Sequence, residues 1–207
     1  MATTGYRWLE MTTKSPSGFH YFVYDGMNRS EEIQAWVVNT LLNSKLPQEK
    51  RESSVQFELK HSSAVTQFAK LLAQKRGVDD ELAAIAAALH DVQVIINGTY
   101  KDHAKLGGAI ARQLMKDSGN FIEKEIKQVE EAIAQHSDKH VYSNNGLVEV
   151  IKDADTLDCF FYGDKVYDYK EDRMVVQYYK RIISVREELG LPEKPYFKEQ
   201  LKIRGVC

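Results

Sequence analysis

Cysteine is scarce in this chain. Cys159 and Cys207 are the two among 207 residues, far apart and without CxxC spacing. That excludes a disulfide framework and a thiolate zinc site, and it fits a reducing cytoplasm. An excess of one charge is missing too: 28 Lys and Arg face 30 Asp and Glu, for a net charge of -2. Nothing global argues for a nucleic-acid polymer or a membrane surface as partner, although a local basic pocket for a small anion does not show in the total. Long apolar runs are absent. The longest, Leu82 to Leu89, is eight residues, too few to span a bilayer. The opening MATTGYRWLEM has no apolar h-region, so no secretory leader is expected. Internal repeats and low-complexity segments are lacking as well.

What is present is an ordinary globular composition, 43% hydrophobic and 28% charged, in a chain long enough for one domain with a substantial core. Residues 1–28 read as an extension. They are rich in aromatics, Thr and Ser, and the turn signal Ser15-Pro16-Ser17-Gly18 separates Tyr6–Thr12 from Phe19–Tyr24, which predicts a β-hairpin laid on the main domain. Residues 29–190 read as an all-α bundle of about seven helices. Ser30 is the expected cap of the first, which ends before Pro47. The second runs from about Lys50 to Arg76, with Gly77 as its stop. Asp79 or Asp80 opens a third, reaching about Val94. Asp102 precedes a fourth that ends at Gly119. Asn120 with Glu123 resembles a capping box for the fifth. Asn144 and Asn145 precede the sixth, and the seventh covers about Glu171 to Leu189. Residues 191–207 form a polar tail or short helix.

Residues spaced by three, four and seven share a helix face, and these faces carry unexpected polar groups. His61 shares one with Val65, Phe68 and Leu72. His103 lines up with Gly107, Ile110 and Leu114, and His136 with Ile126, Val129 and Ile133. Asp155 lies under Leu147 and Ile151, with Asp158 one turn on. The third helix, apolar on every side, should be central and deliver His90 and Asp91 at its C-terminal end. Asp153, on the Glu149 side, is expected to be solvated. His140 joins the set only if the helix of His136 continues. A lone histidine on an apolar face is more often a hydrogen-bonded core residue than a ligand. Six inward ionisable groups with no Lys or Arg on the same stripes are another matter, because buried carboxylates need neutralising. A divalent cation does this while accepting imidazole lone pairs. A donor set of His and Asp without thiolate favours Mn, Fe, Co, Ni, Zn or Mg.

His61 in KHSSAV, the doublet His90-Asp91 in AAALHD, and KDADTLD follow in an order that resembles the HD superfamily of metal-dependent phosphohydrolases, over roughly residues 55 to 160. The resemblance implies an HD-type helical bundle with metal ligands His61, His90, Asp91 and Asp155. His103 in DHAKLGGAIA and His136 in EEAIAQHSDK match families that hold a second ion, with Asp91 as the bridge; His103 is then either a ligand or a contact to substrate phosphate. The implied activity is hydrolysis of a phosphomonoester or phosphodiester, in a nucleotide or another small molecule, by metal-activated water. Asp91, His103 and His136 are the catalytic candidates, and Lys101, Lys105 and Arg112 the candidate phosphate contacts. Two other readings stand beside it: a di-iron oxygenase of the same superfamily, and a non-catalytic regulatory module. A homo-oligomer is left open.

Overall fold

The computed structural model describes residues 26–162 and 170–206; the hairpin expected over residues 6–24 lies outside them. Among the described residues there are nine α-helices and no strand: α1 (Arg29–Leu42), α2 (Val55–Arg76), α3 (Asp80–Leu89), α4 (Val92–Asn97), α5 (His103–Ser118), α6 (Glu123–Gln135), α7 (Gly146–Cys159), α8 (Asp172–Glu188) and α9 (Pro195–Ile203). The fold is the expected all-α, HD-type bundle. Its centre is α3, where every residue from Leu82 to Leu89 is buried. An all-round apolar helix must be enclosed on every side, and α1, α2, α6 and α7 enclose it.

Helix boundaries follow capping chemistry. Asn28, not Ser30, caps α1: its side chain accepts from the Glu31 N–H, and the Glu31 carboxylate accepts from the Asn28 N–H. Ser30 lies inside the first turn and donates its hydroxyl to Asn28 Oδ1 at 2.7 Å. Ser54 caps α2 through the Phe57 N–H, so the helix starts later than Lys50, which belongs to a short 3₁₀ turn. At α6 the reaching-back acid is Glu125, whose carboxylate accepts from the Ile122 N–H at 3.0 Å. The pair expected there was Asn120 and Glu123.

Two departures matter for the site. The expected third helix is two helices, α3 and α4, broken at His90-Asp91. The chain tightens there, with the His90 N–H bonded to Ala87 O, and Asp91 leaves helical geometry at φ -103° and ψ 25°. No Gly or Pro marks the break, so the apolar pattern runs through it. The C-terminal stretch holds α9, whose Phe197 is 1% exposed and packs on Phe160 and Tyr179 with ring centroids 5.0 and 5.9 Å apart. Burying such a ring stabilises by about 1.5–3 kcal/mol. Close approach of α5 to α6 depends on Gly108, where a Cβ would lie 3.0 Å from Glu130 O and 3.2 Å from Ala134 Cβ.

Candidate metal centre

Five elements deliver the six sequence-selected groups to one place. His61 comes from the middle of α2, and His90 and Asp91 from the α3–α4 junction. His103 is the first residue of α5, His136 ends α6, and Asp155 lies on α7. Each imidazole is oriented by its Nδ1, which points outward. Nδ1 of His90, His103 and His136 meets the carbonyls of Ala87, Tyr100 and Ile133 at 2.7, 2.8 and 2.7 Å. Nδ1 of His61 meets Asp158 Oδ2 at 2.5 Å. A carbonyl only accepts, so these Nδ1 atoms carry the proton and the Nε2 lone pairs face inward. Holding the ring by its second nitrogen is the usual support for a metal-ligating histidine.

The inward geometry is paired. His61 Nε2 is 3.1 Å from His90 Nε2, and His103 Nε2 is 3.1 Å from His136 Nε2. Asp91 stands between the pairs. Its Oδ2 is 3.3 Å from His90 Nε2 and 3.7 Å from His61 Nε2, while its Oδ1 is 3.4 Å from both His103 and His136. Asp155 Oδ1 lies 3.5 Å from His61 Nε2. Two triads, His61/His90/Asp155 and His90/Asp91/His136, each keep their donor atoms within 4.8 Å of one another.

This set fits one or two divalent cations for a reason of hydrogen-bond accounting. Two facing Nε2 lone pairs cannot satisfy each other, and Asp91 Oδ1 is buried without a donor. Such an orphan costs on the order of 1–3 kcal/mol or more. Positive charge resolves both problems, and the ionisation behaviour shows the demand. Burial pulls His90 down, yet Asp91 and then Asp155 lift it to about 9. Burial likewise works to raise Asp91, but His90 and His136 hold it well below the usual carboxylate range. Asp155 is also held low against its burial, first by Lys139 and then by His90. Burial lowers His136, keeping its lone pair available.

Lys139 escaped sequence reasoning. No Lys or Arg was expected among the inward groups, but this one arrives from the loop after α6 and its Nζ donates to Asp155 Oδ2. Helical periodicity says nothing about a loop, so no signal marked it. The loop is tied down: Arg181 Nε donates to Lys139 O at 3.1 Å, Lys152 Nζ to Val141 O at 2.9 Å, and Tyr178 OH to Ser137 O at 3.4 Å. Glu58, one turn before His61, also went unnoticed. It is buried, accepts from Tyr100 OH at 2.8 Å and from Ser53 Oγ, and is pushed up by burial and by the charge of Asp91.

Asp153 corrects an expectation. It is 6% exposed, not solvated, because Arg181 Nη1 and Arg76 Nη2 reach it from α8 and α2 at 2.5 and 2.7 Å. Since α6 ends at Gln135, His140 stays out of both triads. Lys101 and Lys105 are exposed, and Arg112 is held by Glu123 and, at 2.6 Å, by Glu130. None of the three lines the cavity of about 220 Å³ that opens onto the cluster; its other walls include Phe57, Tyr100, Ser137, Lys139, Lys170 and Tyr178. Among the described residues no helix is long and apolar enough to cross a membrane.

Residues 59–159, the span that runs from just before His61 to just past Asp158, match the family model described as HD domain. No curated protein and no solved structure is matched by the chain.

Proposed function

Because this chain belongs to the HD superfamily of metal-dependent phosphohydrolases, we propose that it hydrolyses a phosphoester bond of a nucleotide or another small phosphorylated substrate in the cytoplasm. In this reading His61, His90, Asp91 and Asp155 hold one divalent ion, and His103 and His136 share Asp91 with a second. The observation that carries it is the convergence of four inward Nε2 atoms on the two oxygens of one buried carboxylate. A divalent ion bound there supplies Lewis acidity and brings the pKa of water from about 15.7 toward about 7.

The protein's own groups do the positioning. Asp158 and the three backbone carbonyls fix the imidazole rings before any ligand arrives. Asp91, with oxygens turned to both histidine pairs, keeps the two halves in register. Apolar Phe57, stacked on His61 with ring centroids 5.2 Å apart, lines the cavity beside that ring. Preorganised donors in such a dry site act more strongly on developing charge than they would in water.

Metal content of protein purified without chelator, together with release of nitrophenol from nitrophenyl phosphates in manganese or cobalt, tests the reading. One or two ions per chain with metal-dependent release supports it. Two irons with oxygen uptake and no phosphoester cleavage would move the chain to the oxidative branch. Neither metal nor turnover would leave a helical regulatory module.

A further inference from the structure

Of the imidazoles that point into the cluster, His103 is held differently from the rest. The groups that orient His61, His90 and His136 belong to helices: Asp158 on α7, Ala87 in the last turn of α3 and Ile133 in the last turn of α6. His103 Nδ1 instead donates at 2.8 Å to Tyr100 O, a carbonyl of the loop between α4 and α5. Packing supports this ring less as well, since its side chain is the most exposed of the four. Between carbonyl and ring the chain passes through Asp102, which is left-handed at φ 52° and ψ 22° and makes no side-chain capping bond. A residue other than glycine keeps that conformation only where its surroundings enforce it. Tyr100 O must therefore be fixed from outside the loop.

Two acids from the stretch that leads into α2 reach it. Glu52 accepts from the Tyr100 N–H at 2.7 Å and from the Thr99 hydroxyl at 2.9 Å, both at the exposed surface. Glu58 is buried, and its Oε1 accepts from the Tyr100 hydroxyl at 2.8 Å and from Ser53 Oγ. A hydrogen bond shielded from water holds more firmly than one that water can replace. Glu58 Oε2, by contrast, is buried with no hydrogen-bond partner among the described residues. A carboxylate left half satisfied in the interior costs stability, so packing alone does not account for an acid at this position. What the acid does hold is the phenol of the residue whose carbonyl orients His103. That phenol ring stands edge-on to the imidazole, with centroids 5.4 Å apart and planes at 84°, and it lines the cavity. We propose that Glu58 is a positioning residue for His103: through the Tyr100 hydroxyl it fixes the loop carbonyl that holds the ring, and so it sets how firmly the second ion is bound. This rests on the reading above, in which His103 and His136 share a second ion with Asp91. Glu58 lies one turn before His61 on α2. One helix then carries a ligand of the first ion and the support for a ligand of the second.

Tyr100→Phe removes the donor, Glu58→Leu removes the acceptor, and Glu58→Gln keeps an acceptor oxygen. Chelator-treated protein labelled with nitrogen-15 at histidine gives a readout that needs no metal. The His103 Nδ1–H signal should be lost to exchange with solvent in Tyr100→Phe and Glu58→Leu, while the signals of His90 and His136 persist; Glu58→Gln should match the wild type. In calorimetric titrations with manganese or cobalt, the same two variants should bind the second ion roughly 10- to 100-fold more weakly, the usual result of removing an outer support of a ligating histidine, with the first ion unchanged. A merely structural Glu58 would loosen all the rings, or weaken both ions, together; that result overturns the proposal. So does a His103 signal untouched in both variants, or one lost equally in Glu58→Gln. The expected pattern of ring protons in a protein that takes up no ion keeps Glu58 as the support of His103 and sinks the metal reading instead.

Discussion

Asp153 and Asp155 are neighbours on α7, and both are buried, at 6% and 4% exposure. Their surroundings differ in kind. Asp153 looks toward α8 and α2, where Arg181 and Arg76 meet it and continue to Glu149 and Glu188 at 2.7 and 2.6 Å. Every charge in that patch has a permanent opposite, and guanidinium groups stay protonated at any relevant pH. Asp155 looks toward imidazoles, whose inward nitrogens can exchange a proton for a metal ion, and toward one lysine. The first region is closed electrostatically by its own ion pairs. The second is left incomplete by its own side chains, with Asp91 Oδ1 buried and unpaired, and that incompleteness fits it to hold a cation. Burial of acidic residues is common to both; the nature of the facing cations separates structure from chemistry.

The largest effect is expected at the proposed ligands. Asp91→Ala or Asp155→Ala should abolish metal retention and bring turnover to background. Elemental analysis of the folded variants checks this, and full metal content in both would erase the distinction between the regions. Asp153→Ala should do the opposite. Stability falls by about 3–5 kcal/mol, because Arg181 loses a buried partner, while metal content per folded molecule is kept; urea unfolding beside metal analysis reads both. Asp158→Asn sharpens the boundary of the site. It leaves the ligand atoms in place but weakens the hold on His61 Nδ1, so metal affinity should fall about 10- to 100-fold in a competition titration.

The smallest effect is one of pH. His90 rises from its ordinary value of 6.5 to about 9 in the absence of metal. A raised pKa means the proton stabilises the fold fully below 6.5, and that this contribution is lost as pH climbs through 9. Chelator-treated protein should therefore melt at a progressively lower temperature between these limits. A metal competes with the same proton, so its affinity should increase over that interval. Melting curves with and without chelator at both ends of the interval should converge toward the acid side. Parallel curves would mean that His90 does not exchange its proton for the ion.

Much of this division was readable from residues alone. Helical periodicity selected His61 and Asp155 as inward groups, and the apolar run of α3 pointed to the buried HD doublet. Periodicity failed where a partner arrives from far away or from no helix. Nothing within a turn of Asp153 announces Arg181 or Arg76, which belong to other helices. Lys139 sits in a loop, where spacing carries no face. The break at His90-Asp91 was hidden because no backbone punctuation accompanies it; the tight turn there comes from tertiary placement of the polar pair.

Of the four imidazoles, three have side chains between 0% and 4% exposed, while His103 keeps 18%. Among the described residues, His103 is thus the imidazole most open to solvent, in the wall of the cavity that opens onto the cluster. Exchange of ions with a chelator in solution should then pass through that cavity to a largely buried donor set and be slow compared with a surface site, and any mixed occupancy should resolve into a labile population and a long-lived one.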